Sequence, residues 1–199
     1  MGHVRPDGDC VGSCLATYNY LKENYPQIET VVYLEKPSDK FNYLNHFDRI
    51  VSDFSKDKEY DLCICLDCSD TLRLGEAVKY LNTAKKSICV DHHITNIGYA
   101  GENIVEGHSS STCEVLYGLL DEAKISREVA ECIYTGIIHD TGVFKYDSTS
   151  RKTMEIAGKL MEKGINFSRI IDDSFYRKTY IQNQILGRAL LESLSLIHI

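Results

Sequence analysis

Two continuous apolar runs in this chain end in acids: Leu62-Cys63-Ile64-Cys65-Leu66 runs into Asp67, and residues 87–90 run into Asp91-His92-His93. Short runs without polar alternation suit strands covered on both faces, as in parallel sheets. The β-branched and aromatic stretch Thr30-Val31-Val32-Tyr33-Leu34 reads as a further strand. Helical spacing separates these runs, with Val11, Leu15, Tyr18 and Leu21 on one face of residues 10–25 and a second helical stretch over about 74–82. Strands that alternate with helices pair in parallel through crossovers, so the expected fold class is α/β, a parallel sheet with helices on both faces. A His at position 3 should stand at the end of a strand that fixes its direction. The first strand is therefore expected to be truncated, since only Met1 and Gly2 precede His3.

The second half reads differently. After a loop over residues 98–109, Ser111-Thr112-Cys113-Glu114 reads as a capping box opening a helix to about residue 122. Ser126 caps another helix, with Val129, Ile133, Gly136 and Ile137 on one face, and this one stops at His139-Asp140-Thr141-Gly142. Further helices are expected over about 151–163, 167–175 and 179–193. Residues 1–150 then form the catalytic core and 151–193 its helical end and linker. Residues 194–199 are expected to be a non-native tail. Leu-Ser-Leu-Ile-His-Ile carries no cap or stop signal, and it is what a transposon-derived sequencing adaptor encodes when read in frame.

At 199 residues with 43% apolar content the chain can bury a core of its own. Its net charge of −7 argues against broad adhesion to nucleic acid or anionic membrane, which relies on clustered Lys and Arg. A small anionic substrate remains compatible if cations supply positive charge. No stretch approaches the roughly 20 apolar residues of a membrane span, and no basic-then-apolar leader precedes the first motif, so a cytoplasmic location is the default. The eight cysteines then read as reduced thiols. Cys63-x-Cys65-x-x-Cys68 reads as packing sulfur, because a zinc site needs a second ligand pair and none is visible.

Ligands in open parallel sheets bind at the carboxyl ends of the strands. His3, Asp67 and Asp91-His92-His93 all fall there. Pro6 and Gly8 are expected to shape a tight turn, with Gly8 taking a backbone conformation other residues resist, so that Asp7 and Asp9 converge. Asp9 is the expected N-cap of the first helix, and Gly12-Ser13 would let that helix approach the sheet. His3, Asp7, Asp9, Asp67, His92 and Asp140 make four carboxylates and two imidazoles, a hard donor set suited to two Mn²⁺ or Mg²⁺ ions, with Asp67 as the natural bridge. Such a pair activates water and stabilises both oxygens of a phosphoryl transfer. Neighbours at a strand end point in opposite directions, so His93 is assigned to the phosphate or to the leaving oxygen. Asp91 either orients an imidazole or is a simple strand-end acid. Arg5, Arg73 and Lys145 lie beside motif residues and either bind phosphate oxygens or remain solvated. His139 is left unassigned, and His46 and His108 read as loop residues.

These clusters resemble the DHH phosphoesterase family: His3-Val-Arg-Pro-Asp7-Gly-Asp9-Cys-Val-Gly12-Ser13, Leu66-Asp67-Cys-Ser-Asp70, Asp91-His92-His93 and Gly136-Ile-Ile-His-Asp140-Thr141-Gly142-Val-Phe144. Ser109-Ser-Ser-Thr112-Cys-Glu114 and Asp173-Ser-Phe175-Tyr176-Arg-Lys-Thr-Tyr-Ile-Gln182 resemble the branch of bifunctional oligoribonucleases and 3′-phosphoadenosine-5′-phosphate phosphatases, the nanoRNases. The resemblance implies one manganese on His3, Asp7 and Asp67, and another on Asp9, Asp67, His92 and Asp140, with His93 touching the scissile phosphate. It implies hydrolysis of short oligoribonucleotides and nucleotide bisphosphates. In the family a C-terminal substrate-binding domain, DHHA1, closes over the nucleotide. Nothing here matches that domain, so the chain is expected to represent a catalytic half, with turnover by this exact polypeptide open. Cyclic-dinucleotide phosphodiesterases and inorganic pyrophosphatases use similar constellations. A metal-dependent nucleotide-binding module without turnover is a reading of another class. No membrane association or stable protein partner is expected, and a homodimer is compatible.

Overall fold

Parallel pairing joins every strand of this computed structural model, which describes the backbone of residues 1–197 and the side chains of residues 1–193. Strands β1 (Val32–Tyr33) and β2 (Ile50–Val51) form a two-stranded sheet, while β3 (Leu62–Leu66), β4 (Lys86–Asp91) and β5 (Glu102–Val105) form a three-stranded sheet in that order. Leu66 is paired with Val90 and Asp91 with Val105, so the carboxyl ends of these three strands lie side by side. Met1 extends the same edge. Its nitrogen donates to the Ile64 carbonyl and its own carbonyl accepts from the Leu66 N–H, each at 2.8 Å. That is the alternation of a parallel ladder, so His3 departs from the sheet at the level of Asp67.

Helices α1 (Gly8–Asn24), α2 (Val78–Thr83), α3 (Thr112–Leu119), α4 (Arg127–Asp140), α5 (Arg151–Glu162), α6 (Phe167–Ile171) and α7 (Tyr180–Ile197) flank the sheets. The core lies where α1 meets α4: Val11, Leu15 and Tyr18 on one and Val129, Ile133 and Ile137 on the other are buried at helical spacing. Each fully buried side chain of this size contributes about 1.5–3 kcal/mol. All eight cysteines are free and buried, and Cys63, Cys65, Cys68 and Cys89 pack into a small apolar cluster with Leu74.

Several expectations need correction. Strand β5 falls inside the expected 98–109 loop, because Glu102-Asn103-Ile104-Val105 has no buried apolar face to betray it and is held by backbone pairing to β4. The expected helix over 74–82 is interrupted at Gly75, whose φ of 56° separates a 3-10 segment from α2. Gly8 lies in helical backbone at the start of α1 and is required for space: an added Cβ would collide with the His139 ring. Gly12 brings α1 against α4 rather than the sheet, since its Cβ would stand 2.6 Å from the Cys132 carbonyl oxygen. Among the described residues no helix is long and apolar enough to cross a membrane. The expected tail over 194–199 lies outside the residues whose side chains are described.

Candidate metal centre

Each acid of the cluster is held by a separate backbone device. Asp7, not Asp9, caps α1: its Oδ1 accepts from the Asp9 and Cys10 N–H groups, both at 3.1 Å. Asp9 sits on the first turn of that helix with its carboxylate fully buried against the start of α3, where Oδ2 accepts from Thr112 N–H at 2.6 Å and Oδ1 from Cys113 N–H at 3.0 Å. Unpaired N–H groups at a helix start favour a carboxylate. Asp67 leaves β3 with φ 55°, in the left-handed region. That conformation costs a non-glycine residue of order 1–3 kcal/mol and persists only where surroundings enforce it. Its N–H donates to the Val90 carbonyl at 3.1 Å. Asp140 is the last residue of α4.

The six expected ligands come together as two groups that share Asp67. His3 Nε2 is 3.6 Å from Asp7 Oδ2 and 3.5 Å from Asp67 Oδ2. On the other side, His92 Nε2 is 3.1 Å from Asp140 Oδ2, 3.8 Å from Asp67 Oδ1 and 4.0 Å from Asp9 Oδ2. Asp67 thus turns one oxygen to each imidazole. Both rings are oriented from behind: His3 Nδ1 donates to the Val4 carbonyl at 2.7 Å and His92 Nδ1 to the Ser109 carbonyl at 3.4 Å. A ring nitrogen that donates to a carbonyl leaves the opposite nitrogen free to ligate, the usual arrangement of metal-binding histidine.

The electrostatics call for positive charge. Burial, then repulsion from Asp67 and Asp140, pushes the Asp9 carboxyl well above its ordinary range. Burial likewise raises Asp140. Although burial opposes it, the Asp67 and Asp7 carboxylates lift His3 to about 10, and Asp140, Asp9 and Asp67 lift His92 to about 9. His92 Nε2 is buried and makes no hydrogen bond, although Asp140 is near. A buried nitrogen of this kind amid crowded carboxylates fits a divalent cation. The donor set is compatible with hard ions at both groups.

His93 lies at the edge of this cage, grouped with Asp67 and His92. Its Nδ1 pairs with Asp91 Oδ1 at 2.7 Å and lies 3.7 Å from Asp67 Oδ1. The hydrogen-bonded Asp91 carboxylate raises the His93 pKa. Asp91 is fully buried and also accepts from Asn96 Nδ2 at 2.7 Å, so it orients an imidazole. Arg5 is exposed and donates its N–H to Glu35, Arg73 is half-buried and offers its carbonyl to Val4 N–H at 2.7 Å, and Lys145 Nζ reaches Tyr176 OH at 3.4 Å. None of these contacts joins the six-residue cluster. His139 stacks edge-on between Phe41 and Phe175, and burial lowers it to about 4. His46 has a partner that spacing did not reveal, Asn19 Oδ1 at 2.6 Å.

Sequence reading missed Cys10, whose thiol falls in one group with His3 and Asp67, and Thr112, which bonds two of the acids. Cys10 directly follows Asp9 in the helix and carried no signal beyond that place. Gly136 was read only as a helix-face residue. A Cβ there would lie 2.5 Å from Asp9 Oδ1 and would overlap Cys113 Sγ. Asp9 is pinned by two N–H groups and cannot yield cheaply. Gly136→Ala is therefore expected to cost about 1–3 kcal/mol from overpacking, roughly 2–12 °C in melting temperature, and to weaken Mn²⁺ binding in calorimetry.

The chain is similar to several known proteins. The "Probable bifunctional oligoribonuclease and PAP phosphatase NrnA" of Streptococcus mutans is 32% identical over 170 residues, covering 84% of this chain and 53% of that protein. The bifunctional oligoribonuclease and PAP phosphatase NrnA of Bacillus subtilis is 29% identical over 181 residues, covering 88% of the chain and 56% of the relative. The crystal structure of an exopolyphosphatase-related protein from Bacteroides fragilis superposes with a TM-score of 0.86 at 27% identity, over 95% of this chain and 59% of that one. The chain thus spans about half the length of the curated relatives it matches. Residues 1–137, which contain five of the six clustered side chains, match the DHH family, N-terminal domain, and the chain belongs to that family.

Proposed function

We propose that this chain is the catalytic half of a phosphoester hydrolase that cleaves short oligoribonucleotides and removes phosphate from 3′-phosphoadenosine 5′-phosphate. The observation that carries the reading is the pair of imidazoles disposed about one shared carboxylate, Asp67. His3, Asp7 and Asp67 would hold one Mn²⁺ or Mg²⁺, and Asp9, Asp67, His92 and Asp140 the other. Divalent ions held by these residues would supply Lewis acidity to the phosphoryl group and acidify water at neutral pH. The chain's own residues do the rest. Asp91 holds the His93 ring through Nδ1, and His93 would touch the scissile phosphate or donate a proton to the leaving oxygen. Arg5, Arg73 and Lys145 lie beside motif residues and would either bind phosphate oxygens or remain solvated. The match to full-length relatives named for both activities supports this substrate class. Residues 1–150 would be the core and 151–193 the lead into a second domain, in a cytoplasmic protein.

The test is incubation of the chain, alone and joined to the C-terminal half of a relative, with Mn²⁺ and either a dinucleotide or the adenosine bisphosphate. Release of mononucleotide or phosphate is expected, and His92→Ala is expected to lose it. Release that persists at the parent rate in His92→Ala would remove the proposed chemistry.

A further inference from the structure

Three of the six clustered residues are touched by one short stretch, residues 109–113. The Ser109 carbonyl accepts from His92 Nδ1, the Thr112 and Cys113 N–H groups hold Asp9, and the Thr112 hydroxyl donates to Asp67 Oδ1 at 3.1 Å. Thr112 therefore bridges two carboxylates, one of them the acid that faces both imidazoles. The stretch is itself hung on a buried acid. Glu114, 1% exposed, accepts at Oε2 from Ser110 Oγ at 2.6 Å, from Ser110 N–H at 3.4 Å and from Thr153 Oγ1 of α5 at 2.6 Å. Lys152 Nζ stands 3.8 Å from its other oxygen. The sequence pattern promised a capping box, in which Glu114 would return to Ser111 N–H. Only half of it forms: Ser111 Oγ accepts from Glu114 N–H at 3.1 Å while the Glu114 side chain reaches past it to α5. Burying a carboxylate is costly unless donors satisfy it, so an acid placed here with three donors does more than cap the start of a helix.

We propose that Thr112 is a positioning residue for the cation pair and that Glu114 locks it in place, so that α5 governs cation affinity through a buried relay from Thr153 to Asp67. The proposal rests on the two-cation reading above. Its physical basis is orientation. A carboxylate whose lone pairs are aimed by a neighbouring donor binds an ion without first paying to stop rotating, and removal of such outer partners costs about 10–100-fold in affinity.

The experiment is titration of the metal-free 199-residue chain with Mn²⁺, read by calorimetry and by the EPR signal of free ion, alongside the melting temperature. Thr112→Val keeps the shape and both N–H bonds but removes the hydroxyl, and it is expected to weaken Mn²⁺ binding about tenfold or more. Thr112→Ser is expected to restore parent affinity. Glu114→Gln is expected to weaken binding in the same direction, and if that variant does not fold the Thr112 pair decides alone. Parent affinity in Thr112→Val, with Asp67→Asn impaired, overturns the proposal and leaves the two-cation reading standing. Failure of Thr112→Ser to restore affinity also overturns it, because the loss would then follow the methyl group. Parent affinity in Asp67→Asn removes the two-cation reading and the proposal with it.

Discussion

Asp67→Asn is expected to abolish binding of the cation pair as a pair and to slow phosphoester hydrolysis by at least about a hundredfold, the upper end of what even indirect partners of a metal site contribute. The reason is geometric. Asp67 turns Oδ2 toward His3 and Oδ1 toward His92, and an amide presents one oxygen and one NH₂ where two oxygens stood. Whichever way the amide sits, one imidazole faces a donor. The Thr112 hydroxyl, which now donates to Oδ1, loses its acceptor in one of those two orientations. Calorimetry should show the Mn²⁺ stoichiometry fall in a protein whose far-ultraviolet circular dichroism is unchanged. A variant that still takes up the full complement at parent affinity would show that Asp67 is not shared between the ions.

The second large effect is on pH. His3 at about 10 and His92 at about 9 stand above the ordinary imidazole value of about 6.5. Each therefore contributes stability that is fully present below about pH 6.5 and is lost as pH rises through about 9 to 10. In chelator, the metal-free chain should melt at progressively lower temperature across that window. Metal binding runs the opposite way. The His3 half must displace one imidazolium proton, so Mn²⁺ affinity there is expected to rise about tenfold per pH unit between about pH 7 and 9, and at least as steeply at the His92 half, where the raised Asp9 and Asp140 carboxyls also oppose binding at low pH. Asp7, which His3 holds down at about 2 against the opposing pull of burial, stays ionised throughout and adds nothing to that slope. Titrations at three pH values in buffers of matched ionic strength would settle the sign, and a flat dependence would mean that the two rings are already neutral.

Much of this architecture was legible in local patterns. Continuous apolar runs marked β3 and β4 because both faces of a parallel strand are covered, and Ser126 marked the start of α4 through its cap on Val129 N–H. Elements that lean on neighbours were not legible. Strand β5 is nearly all exposed and carries no apolar period, and the N-cap of α1 fell to Asp7 because Asp9 is drawn away by the N–H groups of α3. Gly8 and Gly136 look like ordinary turn and helix glycines in one dimension. Their necessity comes from His139 in one case and from Asp9 with Cys113 in the other, residues that arrive from distant parts of the chain.

The six ligand types and their places at strand and helix ends follow from the linear order, because a parallel sheet delivers the residues after its strands to a single edge. Their division about Asp67 was implied only by the family resemblance, and how each side chain is aimed was left open. The turning of one Asp67 oxygen to His3 and the other to His92, the pairing of His93 with Asp91 beside Asp67, and the clamp that runs from Thr153 through Glu114 to Ser110 depend on packing. A carboxylate's charge is written in its residue type, but the direction of its oxygens is decided only by the donors that folding brings around it.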